Sequence, residues 1–142
     1  MASINTGRVV AGGLLAGVVA NICDTVWSFT VVKDDMAGIA QKFGTDPSAM
    51  TSAAGILPWI LVDFVLGFVI VFTYAGMRPR FGPGPKTAVI AGLVSFIAAS
   101  AVVYGFTSMG MMSMGAYVRG SATSLASVVI GSLAGCWAYK EA

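Results

Sequence analysis

Four long apolar stretches with almost no charge between them set the terms for this chain. Positions 7–32, 53–74, 87–107 and 118–139 are each long enough, at about 1.5 Å per helical residue, to cross a hydrocarbon core of about 30 Å. Backbone amides in lipid must be satisfied within the segment, and too few alternating strands exist for a closed barrel, so each stretch is expected to be a helix. Composition agrees: 57% of the 142 residues are hydrophobic and 10% are charged, against about 25% charged in soluble domains. The reading is an all-α membrane protein, a single four-helix transmembrane domain over 1–142, with helices at about 7–32, 47–76, 87–107 and 118–139. The apolar run that starts beyond Arg8 exceeds a signal-peptide core, so the first helix is expected to be retained.

Orientation follows from the cations. Arg8, Arg78, Arg80, Lys86 and Lys140 fall on one side, against Lys33, Lys42 and Arg119 on the other, which places both termini in the cytoplasm. The loop containing Arg78, Arg80 and Lys86 is stiffened by Pro79, Pro83 and Pro85 and is expected to present its cations to anionic lipid headgroups. Its glycines do not have the spacing of a phosphate-binding loop.

Between the first two spans, Met36, Ile39, Ala40 and Phe43 recur at helical spacing behind the acidic pair Asp34 and Asp35. This predicts a short interfacial helix over about 34–43 in the first outer loop. Thr45, Asp46 and Pro47 then read as the start of the second span, with Pro58 expected to kink it.

Several functions are disfavoured by what is missing. With no histidine, the chain lacks the usual axial ligand of haem and the commonest general base. No nucleophile stands beside an evident base, no basic run is interleaved with aromatics, and Cys23 and Cys136 sit apart within apolar segments as inert thiols. The expectation is a non-enzymatic protein with no cofactor, no nucleic-acid partner and no soluble substrate.

Two adjacent rows on the first helix, Gly12, Ala16, Ala20, Asp24 and Gly13, Gly17, Asn21, Thr25, form a flat face of small residues. The fourth span offers a matching row, Thr123, Ser127, Gly131, Gly135. Such faces permit close helix contact in lipid, either within the molecule or against a partner. Asn21, Asp24 and Asp63 lie at similar depth in the outer half, and Arg119 has the reach to pair with Asp24, leaving Asp63 to bond Asn21. The layer reads either as a satisfied polar cluster that fixes helix register or as a proton or cation site. The turn carrying Met109, Met111, Met112 and Met114 offers four thioethers, a soft-metal set for Cu(I) or an apolar turn dipping into the interface.

The stretch from Tyr74 to Ala88, with Arg78-Pro79-Arg80-Phe81-Gly82-Pro83-Gly84-Pro85 at its centre, resembles a family of small, uncharacterised four-helix bacterial membrane proteins. The opening from Arg8 to Gly17 and the closing Gly135 to Glu141 are similar to that family's two ends. The resemblance implies a bacterial inner-membrane location and a four-helix fold, and brings no activity with it. The combined expectation is an accessory or structural subunit that packs against a larger membrane complex or against copies of itself. The alternatives are a small oligomeric transporter or proton-conducting protein using Asp24, Asp63 and Arg119, and soft-metal handling at the methionine turn.

Overall fold

The computed structural model describes residues 4–140, so Glu141 and the first three residues of the polar opening lie outside it. Six helices follow in order: α1 (Thr6–Thr30), α2 (Lys33–Lys42), α3 (Pro47–Met50), α4 (Ala53–Phe81), α5 (Pro85–Ser108) and α6 (Met114–Ala138). Four of them, α1, α4, α5 and α6, are long and apolar enough to cross a membrane. They alternate in direction and close into a four-cornered bundle. α1 packs on α4 and α6, α5 packs on the same two from the opposite corner, and α4 meets α6 across the middle.

Close backbone approach sets α1 in place. A Cβ on Gly12 would stand 2.6 Å from the carbonyl oxygen of Gly135, and a Cβ on Gly135 would stand 2.6 Å from that of Gly12. The second row of α1 faces α4. Gly13 and Gly17 receive the rings of Phe68 and Phe64, and a Cβ on Gly67 would lie 2.5 Å from the Gly13 carbonyl oxygen. The small-residue faces of α1 and α6 therefore meet each other within the molecule, with Ala16 buried between Gly131 and Gly135. Without a hydrophobic force between helices in lipid, this contact supplies the van der Waals attraction that holds the pair.

The element boundaries depart from the sequence reading in four places, each with a local cause. α1 stops at Thr30, two residues early. The second span does not start at Pro47: Asp46 caps Pro47–Met50 by accepting from the Ser48 N–H at 2.9 Å, and the Thr51 and Ser52 hydroxyls then bond back to the Ser48 and Ala49 carbonyls. That closes one turn, and Ser52 caps a new helix by accepting from the Gly55 N–H at 3.2 Å. Gly55 is required there, because a Cβ would sit 2.4 Å from the Ala49 carbonyl oxygen. α4 continues through Pro58 and past Pro79 to Phe81, so Arg78 and Arg80 stand on its last turn rather than in a loop. α6 begins at Met114 instead of 118, since Ser113 caps it by accepting from the Ala116 N–H at 3.1 Å.

The α4–α5 connection shrinks to Gly82, Pro83 and Gly84. Both glycines take positive φ, 79° and 135°, which a side chain would resist. The Tyr74 hydroxyl accepts the Gly84 N–H at 3.1 Å, and the Thr87 hydroxyl donates to the Gly82 carbonyl at 2.8 Å. The Tyr139 ring meets Tyr74 edge to face, lies under the Arg78 guanidinium and offers its hydroxyl to the Asn5 N–H. One end of the bundle, which carries Arg8, Arg78, Arg80, Lys86 and Lys140, is thus tied together by two tyrosines. Burial is concentrated there, from Gly67 to Ala75 on α4 and from Thr87 to Ser95 on α5.

Gly135→Ala should push α1 from α6 and lower stability by about 1–3 kcal/mol. Gly76→Ala, with nothing within 4 Å of its Cβ position, should not destabilise. Thermal unfolding in detergent compares the two.

Candidate functional site

The polar layer of the bundle is built by three helices. On α1, Asp24 is one turn beyond Ala20 on the small-residue row, so the close packing of α1 carries its carboxyl into the α1–α6 seam. Ser127 of α6, buried on the facing row, donates to Asp24 Oδ1 at 2.5 Å. Trp27 of α1 donates its indole N–H to the same Ser127 oxygen at 3.1 Å. Asp63 of α4 lies near enough to Asp24 for the two carboxyls to influence one another.

This arrangement overturns two expected pairings. Arg119 does not reach Asp24. Its Nε and Nη2 donate to the two carboxylate oxygens of Asp35 on α2, at 2.7 and 2.5 Å. The forked geometry suits a guanidinium, and Asp35 sits in the first turn of α2. Asn21 does not bond Asp63 either. Its amide donates to the Gly17 carbonyl at 2.9 Å on its own helix and to the Ile60 carbonyl of α4 at 3.4 Å. The Ile60 carbonyl thus accepts a donor from a neighbouring helix. Asn21 and Asp24 continue the packing rows of α1 toward α4 and α6, while Arg119 pairs with α2 at the end of the bundle.

Ser127 and Trp27 were absent from the sequence-derived cluster. Ser127 was visible only as a small residue, and Trp27, near a helix end, reads as an interfacial anchor until its N–H is followed to Ser127. Trp59 and Trp137, by contrast, are exposed.

The rim is held by α2. Besides the Asp35 to Arg119 pair, Lys42 donates its ammonium to the Gly110 carbonyl in the α5–α6 turn. Hydrogen bonds from Arg119 hold the Asp35 carboxyl below the usual carboxylate range, against a smaller opposing effect of burial. The Ser48 N–H does the same for Asp46. Of the expected apolar stripe on α2, Ala40 is buried, Met36 and Ile39 are half-buried and Phe43 is exposed.

Between α2 and the α5–α6 turn lies a cleft of about 270 Å³, lined by Asp34, Asp35, Gly38, Lys42 and two thioethers, Met111 and Met112, among others. Met109 and Met114 do not line it and are well exposed. Two of the four thioethers therefore share a cleft with an ammonium group and two carboxyls, while the other two stand outside it, so the four do not form one soft-metal set. No cluster of three or more His, Cys, Asp or Glu side chains is present among the described residues. Cys23 and Cys136 are both free thiols.

The axis of the bundle below the polar layer is filled. Val71, Ala91 and Ser132 have no exposed surface, and Gly92 leaves just enough room for the Ser132 side chain. Arg78, Arg80 and Lys86 do gather at the end that also carries Arg8 and Lys140. No protein-family model, no curated protein and no solved structure matches this chain.

Ser127→Ala should leave both Asp24 and the Trp27 N–H short of a partner. It should lower stability by about 1–3 kcal/mol, whereas Ser124→Ala, at an exposed position of the same helix, should be near neutral. Thermal unfolding of the two variants in detergent checks the difference.

Proposed function

We propose that this chain is a non-enzymatic accessory subunit of the bacterial inner membrane, one four-helix domain that associates laterally with a larger membrane complex. The observation that carries the reading is the filled axis, with Val71, Ala91 and Ser132 sealed between the helices. A bundle closed in this way offers a surface rather than a path. The small-residue rows are spent on holding the bundle together, so the lateral surface available to a partner is the large apolar one, such as Ile97 and Val102 of α5 or Trp59 and Val65 of α4. The end with Arg8, Arg78, Arg80, Lys86 and Lys140 faces the cytoplasm, where anionic headgroups favour it. Both termini then lie inside, and α2 lies at the opposite boundary between lipid and water.

A second reading rests on the polar layer. Arg119 is engaged by Asp35, so no cation neutralises Asp24 and Asp63, and two facing carboxyls at membrane depth are a common form of proton or cation site. Here exchange would occur from the outer side, above the sealed axis.

Gentle extraction from the native membrane, native gel separation and mass spectrometry of co-migrating proteins test the first reading. The expected result is a defined larger complex at fixed stoichiometry, retained when Asp63→Asn replaces the acid with an uncharged isostere. Migration alone or as a homo-oligomer contradicts it. Loss of a proton-coupled flux in Asp63→Asn proteoliposomes, with assembly unchanged, would establish the second reading instead.

A further inference from the structure

The cleft under α2 has an ordered distribution of charge. Asp34, Gly38 and Lys42 fall at i, i+4 and i+8, one stripe of the helix, and all three line the cleft. The stripe has a carboxylate at one end, an ammonium at the other and a gap between them. At Gly38 a Cβ would meet nothing within 4 Å, so the glycine leaves open space in the middle of the stripe. Asp35 beside it is engaged by Arg119, which leaves Asp34 as the acidic pole. Lys42 spends one of its three donors on the Gly110 carbonyl and retains two. The opposite wall is formed by Met111, Met112, Ser113 and Ala116, and its two thioethers are soft and apolar.

The two poles stand on residues eight apart, two turns along the helix. A ligand that fits needs a cation with N–H donors at one end, an anion at the other, and a short link crossing the glycine gap. A primary ammonium and a phosphate two carbons apart meet that description, with a charge-assisted hydrogen bond available at each end. The volume, about 270 Å³, is smaller than a typical site for a drug-sized molecule and suits a headgroup whose chains continue into lipid. We propose that this cleft binds the headgroup of phosphatidylethanolamine, with its ammonium on Asp34, its phosphate on Lys42 and its link over Gly38. The proposal rests on the placement of α2 at the membrane boundary.

The test uses the purified full chain in detergent, titrated with phosphatidylethanolamine, phosphatidylcholine or phosphatidylglycerol of identical acyl chains and read by native mass spectrometry. Phosphatidylcholine keeps both charges but has no N–H donor, and phosphatidylglycerol keeps only the phosphate. The ethanolamine lipid should bind about tenfold more tightly than either, the worth of one hydrogen bond to a charged group. Asp34→Asn and Lys42→Gln should each remove most of that preference. Gly38→Leu should abolish it with both charges in place, because the new side chain fills the gap. Arg80→Gln, at the opposite end of the bundle, should leave it unchanged.

Equal binding of the three lipids overturns the proposal, as does a preference that survives Gly38→Leu. Competition by free phosphoethanolamine as effective as by the lipid would assign the cleft to the soluble compound and overturn the lipid. The boundary placement is read separately, by lipid-borne quenching of a fluorophore on Gln41→Cys, so a failure of headgroup selectivity and a failure of placement remain distinct.

Discussion

Everything in this bundle is referred to one contact, the approach of α1 to α6 at Gly12 and Gly135, where each residue's missing Cβ makes room for the other's carbonyl oxygen. Helices in lipid gain nothing from hiding apolar surface from one another, so attraction must come from contact itself. A pair of glycines facing each other, with Ala16 in the angle between them, brings the two backbones close enough for that contact to extend along both helices. Toward one end it delivers Tyr139 to Tyr74 and Asn5. Toward the other it delivers Asp24 to Ser127.

The same helix serves two neighbours because its small residues lie in adjacent rows. Gly12 and Ala16 address α6, while Gly13 and Gly17 receive the phenyl rings of α4. Asn21 and Asp24 continue these rows by one further turn, so the polar groups reach α4 and α6 as a consequence of the packing below them. Polar side chains in lipid are costly when unpartnered. Here Asn21 finds carbonyls on two helices, and Asp24 finds the Ser127 hydroxyl. The layer therefore fixes the register that the glycines permit.

Much of this was legible in the sequence. The number and rough limits of the long helices follow from apolar length, and the flat face of α1 follows from its i+4 rows. The start of α2 was marked by Asp34 and Asp35. What could not be read was which polar group meets which. Depth places Asp24 and Arg119 near one another only if nothing intervenes, yet α2 brings Asp35 to the arginine first. Ser127 looked like packing material because a hydroxyl and a methyl occupy a small-residue row equally well. Short-range hydrogen bonding also escaped: the hydroxyls of Thr51 and Ser52, bonding backwards, split one expected helix into α3 and α4.

The central claim is that Gly12 and Gly135 share one contact, and a double-mutant cycle in detergent addresses it directly. Gly12→Ala, Gly135→Ala and the double variant are compared with the parent by thermal unfolding. If the two positions meet, the first substitution already parts the helices and the second adds little, giving a coupling of about 0.5–3 kcal/mol. Strict additivity of the two losses would contradict the account.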